Sequence, residues 1–400
     1  PRLFARADGE RTYATAPGLG ALLPPADHDL APFDPSAPVA ARDDVFDRRG
    51  RLLDYLLALY GEAFTQNSLR TFDVYRAGDE RAAAVLANRE AFLAAIETLT
   101  RDRGGGARLD DAEAAGVFAR RLGLLLECRA PAPGTWLGAA FAAHDLDLGD
   151  DAAAPEDRLA RGDLDDVGDP LAALVPLEGR EGDEPLAAAL ADLRLQGLFG
   201  AGLVPPAWLA AGIRIERYGL RPTAGGCELW LDHDDPATVT RLATFADRDE
   251  ATARDQAIAV ANRLRRVLIG LCRAGEGLHV IERVLLRPRT PATARADDLA
   301  RRRFRIVVAL TGWTPRMRQH GFRQLAAETV RLNAPAHLAP QCCWFETPQA
   351  MRAFEAAQLT WRERLARHLA EPEDAALAAA VDEAAAEVEA CLDDAAEGPA

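Results

Sequence analysis

Seven histidines, six cysteines and a dense set of carboxylates are the side chains here that could do chemistry, and their spacing decides which chemistry. The histidines are His28, His144, His233, His279, His320, His337 and His368, and none stands four residues from another. The helical two-ligand spacing of zinc hydrolases is therefore not spelled out. Asp232-His233-Asp234-Asp235, at the end of an alternating apolar run, comes closest to a metal site. As ligands, Asp232, His233 and Asp234 would serve a metal-dependent hydrolase. Ahead of Pro236 the same residues read more simply as a strand-ending turn. His279, Glu282 and His337 have the residue types of an acid–base set, but their spacing does not bring them together. Asp145, Asp147 and Glu156 match the first, third and last ligands of a calcium loop. Asp150 holds the position where that loop needs glycine, so a solvated acidic loop is expected.

The cysteines are Cys128, Cys227, Cys272, Cys342, Cys343 and Cys391, with no C-x-x-C pair. Adjacent Cys342 and Cys343 would face opposite sides of a strand, so structural thiols in a reduced compartment are expected. Every basic side chain other than histidine is arginine. Without lysine there is no P-loop lysine, no Schiff base and no kinase-type lysine. Serine occurs only at Ser36 and Ser68, neither in a nucleophile elbow. The residues alone spell out no enzyme signature, and no cofactor is expected.

The elements that would position these groups follow from periodicity. The 400 residues carry 47 basic and 62 acidic side chains, a net charge of −15, and apolar residues make up 49%. That is a globular composition whose surface repels nucleic acid and anionic lipid. No apolar run reaches the ~20 residues of a membrane span, and no signal segment opens the chain, so cytoplasmic synthesis is expected. Residues 1–45, rich in proline and glycine, read as an extended arm. Helical stripes follow at 46–64 (Leu53, Leu56, Leu57, Tyr60, Phe64) and 78–99, and Asp110-Asp111 read as the cap of a third helix. These elements predict a helical domain over 46–141. An acidic linker or insert spans 142–204, its aspartates among alanine, glycine and proline.

An α+β domain is expected over 205–345. Its strands are 213–218, 227–231, 278–286, 303–310 and 338–345, and its helices 249–273 and 319–333. The β-α-β-β-α-β order suits a ferredoxin-like sheet. A helical tail over 346–400 opens with the stripe Met351, Phe354, Trp361, Leu365 and Leu369. It closes with an Ala/Glu/Asp-rich helix over 372–393, expected to bury little and to stay exposed or partner-bound. The fold class expected is thus α+β, with an N-terminal helical region, an acidic linker, the ferredoxin-like domain and C-terminal helices.

Arginines crowd 283–305 and 316–331, while Phe304, Trp313 and Phe322 read as core. In an acidic chain, such arginines suit carboxylates of neighbouring subunits better than a nucleic acid. In Trp313-Thr314-Pro315-Arg316, Pro315 fixes a turn and Trp313 packs against it. Arg316, Arg323 and Arg331 are expected to project from it as an assembly interface. Replacing Arg316 and Arg323 by alanine is then expected to spare the fold and block assembly.

Two stretches carry a resemblance. Arg51-Leu52-Leu53-Asp54-Tyr55-Leu56-Leu57-Ala58-Leu59-Tyr60-Gly61-Glu62-Ala63-Phe64-Thr65 is the first. The second runs from Gly277-Leu278-His279-Val280-Ile281-Glu282-Arg283 through Thr311-Gly312-Trp313-Thr314-Pro315-Arg316 and Ala334-Pro335-Ala336-His337-Leu338 to Trp361. They resemble the J-like baseplate wedge subunit, the second wedge protein of extracellular contractile injection systems and related phage-tail-like particles. The resemblance implies a structural protein without catalytic, cofactor or metal residues. It implies a place in a multi-copy ring, beside a homologous wedge subunit, around a spike or hub and near sheath proteins. The runner-up readings are the metal-dependent hydrolase and a small adaptor or chaperone.

Overall fold

The computed structural model describes residues 2–5, 11–14, 45–62, 71–76, 78–106, 115–131, 137–142, 147–148, 158–160, 169–170, 203–204, 206–232, 238–246, 250–290 and 302–397. The chain divides into two compact units, Pro1–Leu52 and Leu53–Ala400. In the first, β1 (Arg2–Ala5) and β2 (Arg11–Ala14) pair antiparallel, Arg2 opposite Ala14 and Ala5 opposite Arg11. Helix α1 covers Val45–Leu59.

The second unit is mixed α+β, built around two sheets. The larger has five strands in the order β4-β9-β8-β7-β5. They are β4 (Arg158–Ala160), β5 (Asp169–Pro170), β7 (Tyr218–Thr223), β8 (Gly226–Asp232) and β9 (Thr238–Ala246). All neighbours in it run antiparallel. Its two edge strands come from the segment expected to be an acidic linker, so part of that segment is sheet. Two further short strands, β3 (Asp147–Leu148) and β6 (Leu203–Val204), pair in parallel. Of the calcium-loop residues, Asp147 opens β3, whereas Asp145 and Glu156 lie outside the described residues.

The smaller sheet has three strands, β10 (Leu278–Glu282), β11 (Arg305–Thr311) and β12 (Ala339–Phe345), in that order. β11 pairs antiparallel with β10 and parallel with β12. A ferredoxin-like sheet would insert a fourth strand between β11 and β12. Here β8, the strand that the expected order assigns to that place, pairs with β7 and β9, and β12 pairs directly with β11.

β11 explains why this sheet is a core layer. Its run Ile306-Val307-Val308-Ala309-Leu310 is buried on both faces, as expected of a strand covered on both sides. Ile306, Val308 and Leu310 pack with Phe118 and Leu122 of α4 (Val117–Leu126) and Phe322, Ala326 and Val330 of α8 (His320–Asn333). Val307 and Ala309 face the opposite core with Cys343 and Phe345. That core holds Met351, Phe354, Trp361 and Leu365 of α9 (Pro348–Ala370). Val381, Ala384, Val388 and Leu392 of α10 (Ala375–Glu397) close it. The Ala/Glu/Asp-rich helix is therefore not an exposed tail. Its few apolar residues recur at three- and four-residue steps, and alanines between them let α10 lie close against α9. After the short α5 (Ala139–Ala142) and α6 (Pro206–Gly212), the 25-residue α7 (Glu250–Ala274) repeats this device against the larger sheet, with Ala253, Ala257 and Ala261 buried along one stripe.

Other expectations shift locally. The helix expected over 78–99 breaks at Ala95 into α2 (Gly78–Ala94) and α3 (Ile96–Arg101). The break lets Phe92, Ile96 and Leu99 all join Leu57 and Leu125 in a third apolar cluster. α4 is capped by Gly116, and Asp110-Asp111 lie outside the described residues. Ile215–Arg217 forms a 3-10 turn, not strand, and Tyr218 then opens β7 with its hydroxyl donating to the Gly212 carbonyl. β10 stops at Glu282, and Arg283–Leu286 coils into another 3-10 turn. Phe304 is not core. It takes a left-handed backbone with φ 57°, and its ring is 62% exposed beside His337.

Candidate functional site

Charged side chains converge where α4 and α7 end. A helix C-terminus leaves backbone carbonyls without partners and a negative dipole end, so it recruits cationic donors. One arginine serves the end of α4 and a carboxylate just past α7. Arg316, 4% exposed, donates to the carbonyls of Leu126 at 3.2 Å and Glu127 at 2.9 Å. Its Nε donates to Glu276 Oε2 at 2.9 Å, two residues past α7. Glu276 also accepts from the Tyr75 hydroxyl at 2.6 Å and the Thr314 hydroxyl at 2.7 Å. The guanidinium sits over the Phe322 ring, 4.9 Å from its centroid.

The turn 311–316 aims Arg316 inward. Gly277 N donates to the Thr311 hydroxyl at 3.0 Å, and Trp313 packs against Gly275, where a Cβ would stand 3.1 Å from the indole nitrogen. Pro315 is half-buried beside it. Arg316 is thus an internal tie, not a group offered to a neighbour, because the turn folds back onto the end of α7. Arg323 is likewise engaged: its Nε donates to the Met317 carbonyl at 2.9 Å, it lies 2.8 Å from Glu346, and it covers the Trp344 ring. Arg331, in the last turn of α8, is exposed.

Around this hub opens a cleft of about 500 Å³. Its walls include the small residues Ala84, Ala87, Gly123, Gly270 and Ala274, and its charged groups include Arg76, Arg129, Arg273, Asp73 and Glu127. Asp73 anchors the approach by accepting from the backbone N–H groups of Tyr75 at 3.0 Å and Arg76 at 3.1 Å. Burial, aided by the Glu276 charge, raises the Tyr75 pKa well above its ordinary value. Burial pushes the Cys128 thiol up to about 12 and raises Cys272 as well, the latter with help from Glu276. Burial raises the Glu127 carboxyl despite Arg316 and Arg76, and burial followed by the Arg76 charge lowers Arg273. Burial also works against the Arg316 charge, but Glu276 outweighs it and the pKa ends above the ordinary guanidinium value. These shifts leave both thiols protonated, the reverse of what a nucleophile requires. Chemically, the arrangement holds charge in place and can bind polar groups.

The other expected sites are dispersed. His279 pairs with Glu355 of α9 at 2.7 Å. Both are buried, and Glu355 also accepts from the backbone N–H groups of Leu137 and Gly138. Glu282 lies against Gly106, and His337 meets the Phe304 ring, so the three members of the acid–base set have different partners. Asp232 ends β8, 3.8 Å from Arg217, while His233 and Asp234 lie outside the described residues. No group of three or more histidine, cysteine or carboxylate side chains is placed to hold a metal among the described residues. Nor is any helix there long and apolar enough to cross a membrane.

Besides Arg316–Glu276, two further buried pairs escaped the reading of the sequence. One is His279–Glu355; the other joins Arg121 to Glu62 at 2.6 Å, with Arg103 on the same carboxylate and Asn333 accepting from Arg121 Nε at 3.0 Å. Burial raises the Glu62 pKa, but the Arg121 hydrogen bond and charge prevail, and it ends below the ordinary value. A signal existed for each. Arg121 and Glu355 occupy the apolar stripes of α4 and α9, where a charge needs a buried partner.

No protein-family model matches the chain, and no curated protein matches it.

Proposed function

We propose that this chain is a structural assembly component, a baseplate wedge subunit of a phage-tail-like contractile injection system. In this reading it packs against a homologous wedge subunit in a multi-copy ring around the spike. Assembly takes place in the cytoplasm, and the chain performs no catalytic step. The observation that carries the reading is the outer face of α1 and the turn after it. Tyr55 is 63% exposed, Leu59 64% and Tyr60 54%, while Leu53 and Leu57 of the same helix are buried. Large apolar side chains clustered on one exposed helix face mark a surface that another protein covers. They fall within 51–65, one of the two stretches that resemble the wedge subunit. The occupant is the neighbouring wedge subunit, presenting its own apolar face. Replacing Tyr55 and Leu59 together by glutamate tests this. The expected result is an unchanged melting temperature for the isolated chain, with loss of its incorporation into particles counted by electron microscopy. Particles at normal yield containing the doubly substituted chain would overturn the reading.

A further inference from the structure

Among the described residues, the smaller sheet ends in an edge with no strand beyond it. β12 lies outermost, seven residues long, and follows β11 in parallel register from Arg305 opposite Ala339 to Thr311 opposite Phe345. Backbone groups alternate in direction along such a strand. Ala339 N donates to the Phe304 carbonyl, and Gly312 N donates to the Phe345 carbonyl. Odd-numbered residues therefore turn their N–H and C=O groups toward β11, while Cys342 and Trp344 turn theirs away and Pro340 its carbonyl. Among the described residues no strand or turn pairs with the outward groups of Cys342 and Trp344. Open edges of this kind are templates for strand addition, in which backbone hydrogen bonds supply affinity and adjacent pockets supply selectivity.

Such a pocket adjoins the edge. A mainly apolar groove of about 310 Å³ begins at Trp344 and Phe345 and continues between the start of α9 and the end of α10. Ala350 and Ala353 line it with no more than methyl groups, which leaves room for a side chain, and Glu346 and Asp394 stand in the same lining. Glu346 already holds Arg323, but Asp394 is exposed and the last turn of α10 carries no basic residue. The negative end of that helix and the Asp394 carboxylate favour a cation there.

We propose that the outer edge of β12 is a strand-addition site for an extended, basic segment of a partner protein, one of whose apolar side chains enters the groove beyond Trp344. This goes beyond the wedge reading, because it rests on a different surface and stands whichever particle the chain serves.

The probe is a capped peptide in which arginine alternates with valine and one valine is replaced by phenylalanine, titrated into the full chain. Amide hydrogen exchange at Cys342 and Trp344 is expected to slow about tenfold or more on binding. Methylating the peptide's backbone nitrogens that face the edge should abolish binding, and exchanging its arginines for glutamates should weaken it about tenfold or more. Cys342→Pro removes an outward N–H and spares the β11 ladder, so it should leave the melting temperature unchanged and abolish binding. If that variant does not fold, the methylated peptide alone decides the backbone claim. The proposal is overturned by no binding at millimolar peptide, by equal binding of the methylated or acidic peptide, or by protection elsewhere in the chain. It is also overturned if sedimentation shows a dimer of the chain in which the same two amides are already protected.

Discussion

Arg316 makes the case for buried charge as framework. Its fork is shared among Glu276 and two backbone carbonyls at the end of α4, so deleting it would strip a buried carboxylate of its cation and both carbonyls of their donor at once. Arg316→Ala should therefore cost about 3–5 kcal/mol of folding stability by denaturant titration, in place of the intact fold expected from a surface arginine. Arg316→Lys should recover little of it, since an ammonium cannot reproduce the fork. Glu127 and Glu62 should respond to pH with opposite sign. The Glu127 pKa is raised above 4.5, so its contribution is fully present below the unfolded value and is lost as pH rises through the folded one. Glu127→Gln should accordingly gain stability over the parent near neutrality and match it in acid. The Glu62 pKa is lowered, so its stabilisation is present above 4.5 and is lost as pH falls through the folded value. Glu62→Gln should destabilise near neutrality, and the difference should shrink in acid. Unfolding free energies of both variants across pH check the pair.

At the scale of elements, α10 decides whether the smaller sheet has two covered faces. Val381, Val388 and Leu392 are fully buried in the core that also holds Phe345 and Phe354. Polar ties fix its register: Asp382 accepts from the backbone N–H groups of Arg289 at 2.6 Å and Thr290 at 3.0 Å, and Glu389 pairs with Arg302. Leu392→Ala should cost about 2–5 kcal/mol by chemical denaturation. Ending the chain after Asp374 should leave Met351, Phe354 and Leu365 without their cover and yield aggregated protein on gel filtration. A soluble, cooperatively melting truncation would show that α9 needs no partner helix.

For the whole molecule, the unit Leu53–Ala400 joins helices expected to form a separate domain to the sheets that follow them. α4 is the joint: Leu122 packs with Val308 and Phe322, Leu125 packs with Leu57 and Phe92, and Arg316 ties the helix end to α7. A fragment containing residues 53–400 should therefore melt in one calorimetric transition. Two resolved transitions, the first confined to 53–126 by hydrogen exchange, would contradict that coupling.

Local periodicity determined the positions of the longer helices and of several strands by itself. The stripe 249–273, the alternation at 227–231 and the apolar run at 303–310 each became α7, β8 and β11 within a few residues, because each pattern admits one way to bury its apolar face. The Thr347 cap and Pro348 likewise mark the start of α9. What the residues could not decide was partnership between distant elements. β8 joins β7 and β9 and not the sheet of β11, a choice among edges that all offer the same backbone groups. Arg316 meets Glu276 and His279 meets Glu355 only because turns and helix ends bring together residues 40 and 76 apart in sequence. The same holds for α10, whose sparse apolar stripe reads as a weak, exposed helix until α9 and β12 supply the surface it covers. Propensity and periodicity act over a few turns of chain. Burial of charge and closure of a core are properties of surfaces that exist only once the chain has folded.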